Sequence, residues 1–159
     1  MSDFKIVFIG DGGVGKTILC KNLLGMNFEP RYVPTLGAEV HPVEHSDSVF
    51  TIWDCAGQER YGGLGDGYYI CADFAVVFHN PQGKDMNNWR RDFSRVVPGK
   101  QYIHVMSKSD LLTKEQKEMF EKKGMLLVSG KTGEGVQEFL QTLYRNVNEK
   151  KTLRSGKGY

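Results

Sequence analysis

The sequence predicts an α/β fold: a mostly parallel sheet of six strands with one antiparallel edge strand, and helices on both faces. Three observations predict it. Short runs of branched and aromatic residues alternate with amphipathic segments along the chain, as parallel strands joined by helical crossovers require. Two of those runs are separated only by Ser46-Asp47-Ser48, a hairpin signal that makes one strand antiparallel. The 159 residues suffice for one domain with its own core.

The elements follow in order. Phe4 to Ile9 is strand-length, apolar and ends at Gly10. Lys16 to Leu24 has helical character, with Gly25 placed to cap it. Asn27 to Leu36 is polar and contains proline, which predicts a loop. Ala38 to His45 and Val49 to Asp54 are the two hairpin strands. The glycines at 57, 62, 63, 65 and 67 predict a loop from Gly57 to Gly67. Phe74 to His79 and Tyr102 to Met106 are buried strands flanking a helix over Asp85 to Val97. Thr113 to Lys123 is charged, an exposed helix with Met119 and Phe120 as its apolar anchors. Met125 to Val128 is the last strand. A closing helix carries Val136, Phe139, Leu140, Leu143, Tyr144 and Val147 on one stripe.

Composition narrows the function classes. Hydrophobic residues make up 40% and charged residues 25%, which excludes a disordered or collagen-like chain. No apolar run reaches the ~20 residues of a membrane span, and Met1 to Lys5 opens no secretory signal. Twenty-one basic residues against nineteen acidic ones give +2. Lys150, Lys151, Arg154 and Lys157 near the end hold the excess, so residues 1–147 form the predicted domain and 148–159 a short basic tail. The body carries no field suited to nucleic acid. Cys20, Cys55 and Cys71 form no CxxC pair, which predicts buried free thiols in a reducing compartment. His41 and His45 are four apart on a strand, about 13 Å from one another, and are expected as surface histidines rather than a metal pair.

Three motifs carry chemistry. Gly10-Asp11-Gly12-Gly13-Val14-Gly15-Lys16-Thr17 matches GxxxxGK[ST] between a strand and a helix, a phosphate loop that makes the fold that of a P-loop NTPase. Glycines let successive N–H groups turn inward on phosphate oxygens, and the helix dipole reinforces them. Asp11, Gly12, Gly13, Val14, Gly15, Lys16, Thr17 and Ile18 are thus candidate nucleotide-binding residues. Lys16 adds charge toward the β and γ phosphates, and the Thr17 hydroxyl is a Mg²⁺ ligand.

The second motif is Asp54-Cys55-Ala56-Gly57-Gln58. Asp54, at a strand end beside the phosphate loop, is placed to hold Mg²⁺. Gly57 offers a backbone N–H to a γ-phosphate, and the Gln58 amide both donates and accepts, as orienting an attacking water demands. The third motif is Ser107-Lys108-Ser109-Asp110, with Ser129-Gly130-Lys131 after the last strand. A carboxylate at Asp110 accepts from guanine N1–H and N2–H₂, a donor pair that adenine lacks. The stem of Lys108 lies along the base, and the Ser129 to Lys131 backbone supplies an N–H for guanine O6. Both stand at strand C-terminal ends, where open α/β sheets bind ligands.

With these residues in place, the chain resembles the Ras superfamily of small GTPases and, within it, the Ran family. The stretches Arg31 to Pro42, Trp53 to Leu64, Asp66 to Ile70 and Asn88 to Asp92 carry the Ran likeness, and the resemblance spans residues 4 to 147. It implies a switch that binds GTP and GDP with Mg²⁺ and hydrolyses GTP slowly. Thr35 joins Mg²⁺ only when a γ-phosphate is present, Phe28 contacts the guanine and Tyr32 lies over the phosphates. It also implies partners, namely transport receptors, an exchange factor and a GTPase-activating protein, and a monomer working in nucleus and cytoplasm.

The chain departs from that family at three places. Ser107 stands where the family has Asn, which costs about 1–2 kcal/mol of nucleotide binding and implies faster release. The acidic tail of Ran is replaced by the basic segment, and the turns at 46–48 and 80–83 are short. No C-terminal cysteine is present for a prenyl anchor. Two readings stay open: a working GTPase switch, or a Ran mimic that binds transport factors without an efficient cycle. A P-loop kinase would need an arginine-bearing lid, and no segment supplies one.

Overall fold

The computed structural model describes residues 2–10, 19, 31–33, 38–54, 66–79, 81 and 87–156. Seven strands form one sheet: β1 (Ser2–Ile9), β2 (Arg31–Val33), β3 (Ala38–His45), β4 (Ser48–Asp54), β5 (Phe74–His79), β6 (Gln101–Met106) and β7 (Leu126–Leu127). Their spatial order is β2-β3-β4-β1-β5-β6-β7. The six expected strands are present, β1, β4, β5, β6 and β7 run parallel, and β3 is antiparallel to β4. The expected loop at Asn27 to Leu36 is corrected in its middle. Arg31–Val33 pairs with Ala38–Val40 and covers β3, which therefore is not the sheet edge. Backbone groups offered by an uncovered strand edge are a pairing template, and that drive outweighs the polar composition.

The described helices are α1 (Asp66–Tyr69), α2 (Asn87–Val96), α3 (Lys114–Lys122) and α4 (Val136–Gly156). The glycine-rich segment expected as loop to Gly67 turns helical at Asp66. The expected helix at Lys16 to Leu24 lies outside the described residues except for Leu19, which is buried in the core. The backbone of α4 stays helical through Gly156, carrying the basic segment as its continuation.

Alternation along the strands sorts side chains to two faces. Register sets Ile6 beside Ile52 and Phe74, and Phe8 beside Asp54 and Val76. Phe8 packs on Phe78 at 4.9 Å and on Phe139 of α4 at 6.0 Å, so α4 covers this face. On the other face Trp53 meets Tyr68 of α1 at 6.0 Å, and Tyr69 meets Phe93 of α2 at 5.9 Å. The Tyr68 hydroxyl bridges the carbonyls of Phe8 and Trp53, tying α1 to β1 and β4. Ile6, Val7, Phe8 and Ile9 are all fully buried, as a central strand covered on both faces must be. Lys5 is the exception that shows how a charge survives there. Its Nζ donates to Ile70 O at 2.6 Å and lies 3.9 Å over the Trp53 ring. Burial lowers its pKa from the ordinary lysine value.

Two turn details follow from local chemistry. Pairing of His45 with Ser48 leaves a two-residue turn, Ser46–Asp47, with Ser46 at φ 58° as such hairpins favour. Helix α3 starts at a reciprocal cap: Thr113 Oγ1 accepts from Gln116 N at 3.2 Å, and Gln116 Oε1 accepts from Thr113 N at 2.9 Å. That helix buries none of its residues, as its charge pattern predicts. Cys71 corrects an expectation: it is exposed, at φ 66° on the turn between α1 and β5, while Ala72 takes the buried place. No helix among the described residues is long and apolar enough to cross a membrane.

Candidate functional site

Five parallel strands end on one rim of the sheet, and the described residues of the motifs sit on that rim. β1 runs into Gly10, β4 ends on Asp54, β6 leads to Ser107–Asp110 and β7 to Ser129–Lys131. The registers Phe8 with Asp54, Ile9 with Val77, His79 with Met106 and Met106 with Leu127 align these ends. The entrance to the phosphate loop therefore stands next to Asp54.

Asp54 is 0% exposed. A buried carboxylate at a strand terminus is an oxygen donor of the kind hard divalent cations take, so this residue fits Mg²⁺. Of the other expected metal and phosphate residues, 11–18, Phe28, Thr35, Gly57 and Gln58 lie outside the described residues. Tyr32 is described only as backbone within β2.

On the base side, apart from Phe28, the expected residues are described, and the structure brings them together. Ser107 N and Ser107 Oγ both donate to His79 O, at 2.9 and 2.8 Å. The hydroxyl is thereby turned onto β5, in keeping with a side chain too short to serve the base. Lys108 then adopts φ 55°, ψ 40°, a left-handed conformation that breaks the strand direction. One 3₁₀ turn, Ser109–Leu111, follows and carries Asp110 outward, exposed.

Asp110 is held from β7. Ser129 Oγ donates to Asp110 Oδ1 at 2.7 Å and accepts from Lys131 N at 3.2 Å and Thr132 N at 3.1 Å. A hydroxyl has one proton and two lone pairs, so Ser129 is saturated. Ser109 N also donates to Val128 O at 3.1 Å, lacing the two loops backbone to backbone. The Lys131 N–H is consumed by Ser129, while Gly130 N–H makes no hydrogen bond among the described residues. Ser129 N donates to Glu134 O at 3.0 Å, so of the backbone donors expected at 129–131 Gly130 is the one without a hydrogen bond among the described residues.

Glu134 completes the loop. Its carboxylate accepts from Lys117 Nζ at 2.9 Å, and that ammonium lowers its pKa below the usual carboxylate value. Nothing in the motif spacing signals this pair, because Lys117 belongs to α3 and Glu134 to the turn before α4.

His41 overturns the expectation of a surface histidine. It is 2% exposed, on the face of β3 shared with Val43 and with Asp54 across the ladder. The phase of Val43 two residues on is the signal that points His41 inward. His45, by contrast, stacks on Phe50 at 6.0 Å and meets Tyr144 at 5.7 Å.

A rim of aligned strand ends, with a buried carboxylate at one end and an anchored exposed carboxylate at the other, is the frame of a Ras-like nucleotide site. Comparison with known families agrees with it. Residues 5–110, about two thirds of the chain, match the family model described as Roc, Ras of Complex, the Roc domain of DAPkinase. The chain belongs to that family of Ras-like GTPase domains, and so is a guanine-nucleotide-binding switch that hydrolyses GTP.

Proposed function

We propose that the chain selects guanine through Asp110, holds its phosphates on the loop from Gly10 to Thr17, and turns over GTP slowly until a GTPase-activating protein assists. The observation that carries this reading is the Ser129 clasp on Asp110, which fixes the carboxylate before any base arrives. Oδ1 already accepts from Ser129, and the two carboxylate oxygens have lone pairs left for guanine N1–H and N2–H₂. Gly130 N–H supplies the donor for O6, and the Lys108 stem and Phe28 flank the ring.

On the phosphate side, backbone N–H groups of Asp11 to Ile18 and the Lys16 ammonium neutralise phosphate oxygens. Thr17, Thr35 and Asp54 are the residues that would hold Mg²⁺. When bound, that ion would supply further neutralisation of phosphate charge. Gln58 orients a water toward the γ-phosphorus; the new P–O bond forms as the bond to the bridging oxygen breaks, and the water's proton passes to phosphate. Gly57 N–H is the donor to the γ-phosphate, and Tyr32 is the residue that lies over the phosphates. Residues 1–147 form the switch domain, and 148–159 add a basic end.

The Ran-like run from Arg31 to Pro42 supports a finer reading, that the switch serves nucleocytoplasmic transport as a monomer moving between nucleus and cytoplasm. Its partners would then be transport receptors, an exchange factor and an activating protein. Ser107 favours a second reading, a Ran mimic with an inefficient cycle, since its hydroxyl is bonded to His79 O.

Chromatography of nucleotide released from the purified protein, with GTP and ATP competition, tests the base assignment. Near-stoichiometric GDP or GTP supports it; retention of adenine nucleotide overturns it. Asp110→Ala is expected to weaken GDP binding by more than about 100-fold, the loss of two charge-assisted bonds of about 1.5–3 kcal/mol each, with ADP unaffected. Ser107→Asn is expected to slow GDP release about five- to thirtyfold, from 1–2 kcal/mol of restored bonding, as read by a fluorescent nucleotide chase. Equal single-turnover rates in wild type and Gln58→Leu would favour the mimic.

A further inference from the structure

Glu39, His41 and Asp54 converge on one sheet face although they come from two strands. The antiparallel register sets Glu39 opposite Asp54 and His41 opposite Ile52. One ligand-type atom from each of the three lies within 4.8 Å of the other two. His41 Nε2 stands 3.4 Å from Glu39 Oε2, and both atoms are buried with no hydrogen-bond partner among the described residues. A buried imidazole and carboxylate left at that distance forgo a hydrogen bond each, which is costly.

A metal ion between them removes that cost. Ligand atoms ~2.0–2.1 Å from a tetrahedral ion stand about 3.3 Å apart, which is the His41–Glu39 spacing. An Asp54 oxygen lies within 4.8 Å of both and would have to move inward to join them. One imidazole nitrogen with two carboxylates suits a borderline ion such as Zn²⁺, whereas Mg²⁺ takes oxygen donors. Glu39, 28% exposed beside the 2% exposed His41, opens the path in.

We propose that Glu39, His41 and Asp54 form a transition-metal site of the Zn²⁺ type, distinct from the nucleotide's Mg²⁺ but sharing Asp54 with it. Binding there draws Asp54 away from the nucleotide, so such an ion and Mg·GDP antagonise one another. The antagonism rests on the role given to Asp54 above; the metal site rests on the cluster geometry.

The test titrates Co²⁺ into the tag-free full chain, with and without saturating Mg·GDP, and follows visible absorption. The expected result without Mg·GDP is the intense spectrum of four-coordinate Co²⁺, without thiolate charge-transfer bands, bleached by Zn²⁺. His41→Gln is expected to weaken Co²⁺ binding about 100-fold, at or beyond the loss seen on removing an outer-shell partner, while far-UV circular dichroism stays native. Should that variant fail to fold, Glu39→Gln, at the more exposed position, reads the same loss. Absent bands, thiolate bands, or undiminished affinity in a folded variant overturn the site. With Mg·GDP, apparent Co²⁺ affinity is expected to fall at least tenfold; unchanged affinity with GDP bound overturns the antagonism. GDP binding without Co²⁺ bands sinks the metal site alone, and Co²⁺ bands without GDP binding sink the nucleotide reading alone.

Discussion

Ser129 shows how much of the base site depends on one small side chain. Its hydroxyl is fully buried and makes three hydrogen bonds, one of them to Asp110, the carboxylate proposed to read guanine. Ser129→Ala leaves the Lys131 and Thr132 N–H groups without that acceptor and frees Asp110. The expected cost is about 1–3 kcal/mol of stability, measured by urea unfolding, together with weaker GDP binding measured by calorimetry. A loss of stability with unaltered GDP affinity would separate the clasp from recognition. At this scale the motif was legible: Asp110, Ser129 and Gly130 each stand out in sequence. The bond between Ser129 and Asp110 was not, because the two are nineteen positions apart with α3 between them. The meeting of Glu39 and His41 with Asp54 escaped for a similar reason, since adjacency across a ladder depends on register.

At the level of elements, the strands were readable to within a residue or two because apolar runs bounded by glycine or polar turns have few other uses. Ala38–His45 and Phe74–His79 have their expected ends, and β4 begins one residue early at Ser48. β2 was not readable: three residues ordered by an existing strand edge carry no periodicity of their own. Gly135 makes an element-scale prediction. It has φ +77°, and a Cβ there would lie 1.9 Å from the carbonyl oxygen of Leu127. Gly135→Ala must therefore push the start of α4 off β7, at an expected cost of about 2–4 kcal/mol, read as a lower urea midpoint. Because Ser129 N donates to Glu134 O next door, GDP affinity should fall with it. A neutral effect on both measurements would contradict the close packing of α4 on β7.

For the whole molecule, a ligand that binds the folded state alone adds stability by mass action. At about 1,000 times its dissociation constant, Mg·GDP should add about 4 kcal/mol, seen as a higher melting temperature than with Mg·ADP. Equal melting with both nucleotides would remove the guanine assignment from Asp110. The sheet itself explains why one rim suffices as a site. Parallel strands end at the same edge, so the C-terminal ends of β1, β4, β6 and β7 line up there although they are far apart in sequence.

By itself the sequence determined the α/β class and the phosphate-loop family, and it singled out Asp54 and Asp110 for the roles proposed above, because periodicity and motif chemistry are local properties of neighbouring residues. Tertiary structure alone decided the covering of β3 by Arg31–Val33, the Ser129 grip on Asp110, the diversion of Ser107 to His79 O and the meeting of Glu39 with His41 and Asp54. Those are set by strand order and register, which emerge only when distant segments pair and pack.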